Sequence, residues 1–109
     1  WVLADGEAQA GVTLHRIDEG IDTGAYIAQQ SFSIDGCMTE HAVYVQAVKL
    51  GAILLIDALS CLKSGALLAT VPPNPAIVST YRSLPTRDAV RSFYSRCHRF
   101  FRCAELWSE

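Results

Sequence analysis

The loop from Asp18 to Gly24 is the stretch whose residue types could do chemistry, because its seven residues include three carboxylates and two glycines. His15 lies seven positions before Asp22, so the two residues bracket most of the loop. A carboxylate in such a loop can orient a water molecule or accept its proton, or that of a histidine. Crowding by Asp18 and Glu19 would raise the pKa of Asp22 toward the working range. The loop is therefore a candidate site of proton transfer.

Other interpretations of these polar residues stay open. Aspartates commonly bond to nearby backbone groups in turns, and on spacing alone this turn-forming role is favoured for Asp18 and Asp22. A calcium loop would need alternating oxygen ligands and a distant bidentate glutamate, which the sequence lacks. A zinc site at Cys97, His98 and Cys103 would need a fourth ligand. We predict no metal site.

Two strands must position the loop. The alternation of apolar and polar residues predicts strands over 11–17 and 25–34. The seven residues between them exceed the usual hairpin loop of about two to five residues. Extra loop length on a rigid scaffold is where binding and catalytic groups tend to lie.

A long helix is predicted to follow the strands. Thr39 is a suitable N-cap, and a helix from Glu40 to Lys63 ends just before Gly65. Its buried stripe is predicted to consist of Val43, Ala47, Leu50, Leu54, Ala58 and Cys61. A helix of roughly 36 Å is long for a chain of 109 residues. We expect part of it, widened by Leu55, Leu59 and Leu62, to pack on another subunit or on protein outside this chain.

Shorter elements are predicted at both ends of the chain. Residues before Asp5-Gly6 fit the last turn of a helix, since glycine commonly follows a helix end. Residues 66–71 are predicted as a short strand or an extended return, and the prolines of 72–75 break regular structure. A second helix is predicted from Arg87 to His98, with Thr86 as its N-cap. Its inward residues are predicted to be Val90, Phe93, Tyr94 and Cys97.

Composition limits the class of protein. Half of the 109 residues are apolar, which predicts one domain or part of one. No apolar run of 18 residues or more occurs, so no membrane span is predicted. The four cysteines show no paired spacing and are interpreted as reduced thiols of a cytoplasmic protein. Arginines concentrate after residue 64, but without the aromatic and basic pattern of a nucleic-acid module, so no nucleic-acid partner is predicted.

The first 34 residues contain a dense set of motifs: Trp1, Asp5-Gly6-Glu7, Gly11-Val-Thr-Leu-His15, Asp18-Glu-Gly-Ile-Asp22-Thr-Gly24 and Ile27-Ala-Gln29. This set resembles the formyltransferase family, which includes methionyl-tRNA formyltransferase, glycinamide ribonucleotide transformylase and the sugar N-formyltransferases. It implies the second half of a Rossmann-like α/β domain that moves a formyl group from 10-formyltetrahydrofolate to an amine. The loop resembles the tRNA and sugar branches most.

The resemblance also implies roles for individual residues. Asp22 matches the catalytic aspartate of the family, and His15 matches a histidine often found before that loop. Asp18, Gly20 and Gly24 would lie against the folate, with the two glycines as hinges. The family aspartate works with an Asn-x-His motif on an earlier strand, which this chain lacks, since its only asparagine is Asn74.

These observations predict an α/β (α+β) fragment, in which a β-hairpin or small mixed sheet packs on one long helix, with a shorter C-terminal helix. Residues 1–71 would be the family-like core, and 72–109 a Pro-rich linker with an Arg-rich helical extension. We expect a formyltransferase fragment that acts on a tRNA-bound methionine or an amino sugar only when its site is completed. The alternative is a small non-enzymatic binding protein. Either would form a homo-oligomer, expected to be a dimer, to cover open sheet edges and the helix face.

Overall fold

The computed structural model describes residues 1–20, 23–72 and 82–107. Asp22, Asn74 and most of the predicted linker therefore lie outside the described residues. The elements in chain order are α1 (Val2–Asp5), β1 (Gln9–His15), β2 (Tyr26–Ser33), α2 (Glu40–Lys63), α3 (Arg87–Ser95) and a 3₁₀ turn (Cys103–Leu106). The predicted hairpin, long helix and shorter helix are confirmed.

The two strands form an antiparallel hairpin whose two faces differ in polarity. The register pairs Ala10 with Phe32, Val12 with Gln30, and Leu14 with Ala28. Val12 faces α2, because its Cγ1 lies 3.4 Å from the position that a Cβ on Gly51 would occupy. On the opposite face, Gln29 Nε2 donates to Thr13 Oγ1 over 2.9 Å. The apolar face of the hairpin is therefore the one that packs on the helix.

The strand ends differ from the prediction at the loop. β1 ends at His15 rather than residue 17, because the ladder becomes irregular between Leu14 and His15. β2 carries one extra residue there, a β-bulge that bends the strand. On its other edge, Tyr26 exchanges two backbone hydrogen bonds of 2.8 Å with Val71. The predicted return of 66–71 thus joins the sheet at a single residue.

Helix α2 has the predicted bounds and caps. Thr39 Oγ1 accepts a 3.0 Å hydrogen bond from the Ala42 amide, and Gly65 follows the helix at φ 79°. All six residues of the predicted stripe are buried or half-buried. In contrast, Leu55, Leu59 and Leu62 are 47%, 55% and 51% exposed. The described residues therefore leave the side of α2 that carries these three leucines largely uncovered.

The buried core lies away from the sheet, where the two ends of the chain meet. It consists of Leu3, Ala4, Ala89 and Phe93, with Trp1, Ile34 and Val43 packed against it. Gly6 ends α1 at φ 76°, as the sequence predicted. Ser92 Oγ in α3 donates to the Ala4 carbonyl over 2.6 Å, so α3 is fixed directly to α1.

Helix α3 is shorter than predicted. It ends at Ser95 because Cys97 adopts φ 65°, a left-handed conformation that stops a helix. The prediction that Tyr94 and Cys97 point inward is wrong, since both are exposed, and buried Ala89 and His98 take their place. Thr86 caps the helix as predicted, with Oγ1 accepting from the Ala89 amide.

Residues after α3 wrap around the first turn of α2. The amides of Glu40 and His41 donate to the carbonyls of Arg99 and Phe100 over 2.8 and 2.9 Å. Thr39 Oγ1 also donates to a carboxylate oxygen of Glu105 over 2.8 Å. The amides that a helix leaves unsatisfied at its start are thus bonded by the C-terminal segment and by Thr39.

Two arginines, Arg82 before α3 and Arg102 after it, contact residues that are distant in the sequence. Arg82 pairs with Asp5 at 2.8 Å and stacks over Trp1, with its guanidinium carbon 4.6 Å from the ring centroid. Arg102 donates to the Cys37 carbonyl over 2.9 Å. These contacts join Arg82 to α1 and Arg102 to the turn before α2.

Candidate active site

The hairpin carries the loop on a closed base. His15 is paired with Tyr26, and beyond them the Arg16 amide donates to the Ala25 carbonyl over 2.9 Å. The two strands are therefore held side by side where the loop begins and ends. Its described residues 18–20 and 23 are exposed.

Asp18 organises the described part of the loop. One of its oxygens, Oδ1, accepts hydrogen bonds from the Gly20 amide over 3.0 Å and from Thr23 Oγ1 over 2.6 Å. The Thr23 hydroxyl, followed by the Gly20 amide, lowers the pKa of the Asp18 carboxyl below its ordinary value. The turn-forming interpretation is confirmed for Asp18, while its contact with a cofactor stays a prediction.

Gly24 is required by close packing at the base of the loop. It is buried, and a Cβ built there would overlap the backbone carbonyl of Arg16. A Cβ on Gly20 would meet only the Thr23 side chain, which can rotate away. The two glycines therefore differ in how much substitution they tolerate. Their predicted roles as hinges and as folate contacts stay predictions.

His15 is half-buried at the end of β1, beside the loop. Its Nδ1 lies 2.9 Å from the Arg16 carbonyl oxygen, and because a carbonyl can only accept, Nδ1 carries the proton. The catalytic role of His15 stays a prediction.

Asp22 is the predicted catalytic residue that the structure does not describe. Its described neighbours along the chain, Gly20 and Thr23, both bond to the Asp18 carboxylate. Sequence reasoning gave Thr23 no role, and no periodic signal marks a hydroxyl five residues after an aspartate. The Asp18 carboxylate thus bonds one residue on each side of positions 21 and 22.

The described residues also bear on the metal interpretations. Within 1–20, 23–72 and 82–107, no group of three His, Cys, Asp or Glu side chains could hold a metal ion. His98 is buried, and its Nδ1 donates to the Met38 carbonyl over 2.8 Å. The four cysteines are free thiols.

Two grooves lie among the described residues. An apolar groove of about 300 Å³ lies between α1, α2 and α3, and a more polar one lies beside the first turns of α2. Neither groove is lined by a described residue of the loop or its base.

Comparison with known proteins identifies relatives of the chain. The family described as formyl transferase matches residues 1–59. The methionyl-tRNA formyltransferase of Paraburkholderia phymatum is 38% identical over 76 residues, which are 70% of this chain and 23% of that protein. The corresponding enzyme of Acidobacterium capsulatum is 31% identical over 96 residues, or 88% of this chain and 30% of its own length. The chain thus spans less than a third of these relatives.

Solved structures share the fold. WlaRD, a sugar 3N-formyl transferase determined with dTDP and 5-N-formyl-THF, matches with a TM-score of 0.67 at 24% identity, over 84% of this chain and 39% of its own. The N-formyltransferase of Helicobacter canadensis, in complex with folinic acid and dTDP-3-aminofucose, matches with a TM-score of 0.64 over the same shares. The hairpin and helices therefore belong to a Rossmann-like fold that is longer in both neighbours.

Proposed function

Because the chain belongs to the formyl transferase family, we propose that it supplies the acidic-loop part of a site for formyl transfer from 10-formyltetrahydrofolate to an amine. The main observation that supports this proposal is the family match over residues 1–59, which includes the whole loop and both strands that carry it. The ordered bonds of Asp18 support it further, because a catalytic loop must be held in a fixed geometry.

Asp22 is the proposed proton acceptor. The amine nitrogen bonds to the formyl carbon, the bond from that carbon to the folate nitrogen N10 breaks, and the folate nitrogen leaves with a proton. The amine loses a proton in the same reaction, and a carboxylate beside it can take that proton. Asp18 is a positioning residue, since its carboxylate bonds Gly20 and Thr23 on either side of the 21–22 stretch. His15 lies at the base of the same loop, where its Nδ1 bonds to the Arg16 carbonyl.

We propose that the chain is inactive by itself. It contains no Asn-x-His motif, and the described loop residues 18–20 and 23 are exposed. Folate binding by the isolated chain is accordingly expected to be weak, since a ligand of that size is normally buried over most of its surface.

A chimera tests the proposed function directly. In the methionyl-tRNA formyltransferase of P. phymatum, the matched stretch of 76 residues is replaced by the corresponding residues of this chain. Formyl transfer from 10-formyltetrahydrofolate to methionyl-tRNA is then measured for the isolated chain, the chimera, and the chimera with Asp22→Asn. We expect activity only in the unsubstituted chimera, with a loss of roughly 10²-fold or more in Asp22→Asn, because general acid–base catalysis contributes that much.

The neighbouring Glu19→Gln is the matched control for charge in the same loop. Its activity should stay within about threefold of the chimera. Equal losses in both variants would contradict a specific role for Asp22. Turnover by the isolated chain would contradict the proposed inactivity.

The alternative function is a small binding protein that acts as a cytoplasmic homodimer. The observation that favours it is the exposed apolar side of α2, where Tyr44, Val48 and Ile56 are 62%, 53% and 61% exposed. A second copy could cover such a surface. Sedimentation of the isolated chain tests this alternative. A dimer would support it, and a monomer would contradict it.

A further inference from the structure

The apolar groove between α1, α2 and α3 opens over the buried core. Its volume is about 300 Å³, at the lower end of the usual range for small-molecule sites, roughly 300–1,000 Å³. Since a water molecule occupies about 30 Å³, the groove has room for about ten non-hydrogen atoms. All three helices and Phe100 of the C-terminal segment line it, so the groove exists only in the folded chain.

The floor of the groove is buried and its rim is exposed. Leu3, Ala89 and Phe93 line the floor and are 5%, 9% and 7% exposed, so the core sets their positions. At the rim, Tyr44 and Phe100 are 62% and 47% exposed. A concave apolar surface with aromatic residues at its edge is typical of sites that bury the apolar part of a small molecule.

Glu40 is the only charged side chain among the described residues that line the groove. It is exposed in the first turn of α2, where the helix dipole favours an ionised carboxylate. Within the part of the chain that the structure describes, no hydrogen bond or ion pair holds this carboxylate. A ligand that places a positive charge beside Glu40 therefore gains an attraction that a neutral or anionic ligand lacks.

The aromatic side chains of the groove favour a ligand of the same charge, because the faces of such rings attract cations. The aromatic residues that line it are Trp1, Tyr44, Phe93 and Phe100. Trp1 already makes such a contact, since the guanidinium carbon of Arg82 lies 4.6 Å from its ring centroid. Arg82 is itself paired with Asp5 at 2.8 Å, which leaves Glu40 as the charge that a ligand in the groove meets.

The groove is separate from the acidic loop. Ile34 packs against the core that forms its floor, and the preceding residue, Ser33, pairs with Gln9 at the start of β1. The loop follows the opposite end of β1, at His15, and a strand of this length spans roughly 20 Å. A ligand in the groove would thus lie away from the residues proposed for formyl transfer.

We propose that this groove binds a small organic cation, an ammonium group on a compact apolar body of about ten non-hydrogen atoms. The apolar body packs on Leu3, Ala89 and Phe93, and the ammonium group lies at the rim beside Glu40. This inference does not depend on the proposed function, because none of the residues that it uses belongs to the loop or to the two strands.

Three probes with the same phenylethyl body test the charge preference: 2-phenylethylammonium, 2-phenylethanol and 3-phenylpropanoate. Binding to the full chain is followed by NMR through the indole N–H signals. Trp1 lines the groove, whereas Trp107 is 89% exposed and does not, so the Trp107 signal is an internal control. Trp107→Phe assigns the two signals.

The ammonium probe should shift the Trp1 signal with a Kd on the order of 1 mM, as expected for a ligand of about ten non-hydrogen atoms. The alcohol should bind about fivefold more weakly, because it gains no attraction from Glu40 or from the aromatic faces. The carboxylate should bind about tenfold more weakly or less, since Glu40 repels it. The Trp107 signal should not move.

One pair of variants tests the charge. Glu40→Gln should weaken binding of the ammonium probe about threefold and leave binding of the alcohol unchanged. Glu7→Gln removes the same charge from an exposed residue that does not line the groove, so it should change neither.

A second pair tests the location. Ala47 lines the groove, and Ala47→Leu should fill it and abolish the shift of the Trp1 signal by all three probes. Ala52→Leu is the control, because Ala52 is exposed on the same helix and does not line the groove. The amide spectrum shows whether each variant is folded.

Four results would each overturn the proposal. The first is binding of the alcohol or the carboxylate at least as tight as that of the ammonium probe, which would make the groove an apolar or anion site. The second is an equal loss in Glu40→Gln and Glu7→Gln, which would leave net charge as the cause. The third is an unmoved Trp1 signal at about 20 mM ammonium probe, well above the expected Kd. The fourth is a dimer in sedimentation that Ala47→Leu dissociates and Ala52→Leu does not, since a second copy would then occupy the groove.

Discussion

The hairpin loop and the first turn of α2 are both polar turns, yet they are held in opposite ways. Among the described residues, the Asp18 carboxylate bonds partners two and five residues along the chain, and residues 18–20 and 23 are exposed. Thr39, by comparison, is 1% exposed and bonds Glu105, which is 66 residues away. The hairpin loop is thus determined by local contacts, whereas the first turn of α2 depends on the fold.

This difference teaches that the best-packed part of the chain is not its candidate active site. The core of Leu3, Ala4, Ala89 and Phe93 joins the two ends of the sequence. The loop instead projects from the hairpin, as expected of a functional loop on a scaffold. Substitutions should therefore separate the two regions.

Removing the largest core side chain should have the largest effect. Phe93 is 7% exposed, and its ring centroid lies 5.0 Å from that of Phe100. Phe93→Ala should lower the free energy of unfolding by about 3–5 kcal/mol, through lost burial and a cavity. Urea denaturation measures the change. Leu84→Ala is the control, because Leu84 is 89% exposed and its truncation should cost less than about 0.5 kcal/mol.

Gly24→Ala tests whether the loop base is as tightly packed as the geometry indicates. A methyl group there would overlap the Arg16 carbonyl, so we expect a loss of about 1–3 kcal/mol from forced backbone movement. Gly36→Ala is the matched control, since a Cβ at Gly36 meets nothing within 4 Å. Equal unfolding free energies for the two variants would show that the loop base adapts freely.

Thr39→Ala tests the long-range cap of α2. The substitution removes the bond to the Ala42 amide and the bond to Glu105, and should cost about 1–2 kcal/mol. Thr86→Ala removes a similar cap from α3, where the threonine is exposed and bonds one amide. The loss at Thr39 should exceed the loss at Thr86, and the reverse order would mean that the contact with Glu105 contributes nothing.

The smallest predicted effect concerns the protonation of Asp18. Its pKa is lowered in the folded chain, so the stabilising effect of the loop bonds is present above the ordinary pKa of an aspartate and is lost as the pH falls through the lowered value. Thr23→Val removes the first cause of the shift and should raise the pKa of Asp18, measured by NMR titration of the carboxyl carbon.

Thr13→Val is the control for this titration. The Thr13 hydroxyl accepts from Gln29 and lies on the polar face of the sheet, away from the Asp18 carboxylate. The pKa of Asp18 should therefore be the same in Thr13→Val as in the unsubstituted chain. A matching rise in both variants would show that the Thr23 bond does not control the titration.

The sequence predicts features that depend on local spacing. Thr39, Thr86, Gly6 and Gly65 mark helix ends through their own side chains or backbone freedom, so their positions follow from residue type. The buried stripe of α2 likewise follows from a period of 3.6 residues. These features are present as predicted.

The features that sequence reasoning missed depend on contacts between distant residues. Tyr94 and Cys97 have the spacing of inward residues, but the left-handed turn at Cys97 and the docking of His98 on Met38 reverse their exposure. In the candidate site, the sequence places Gly20 and Gly24 in the loop. It does not show that position 24 must lack a side chain, because that requirement comes from the Arg16 carbonyl across the loop. Such a contact has no signature in the order of residues.

The way α2 begins has a consequence for how the chain is made. The amides of Glu40 and His41 are bonded by the carbonyls of Arg99 and Phe100, which leave the ribosome much later. Until then the first turn of the longest helix lacks those two partners and has only local bonds, such as those from Ala42 and Val43 to Thr39. The full set of hydrogen bonds at the start of α2 can therefore form only late in synthesis.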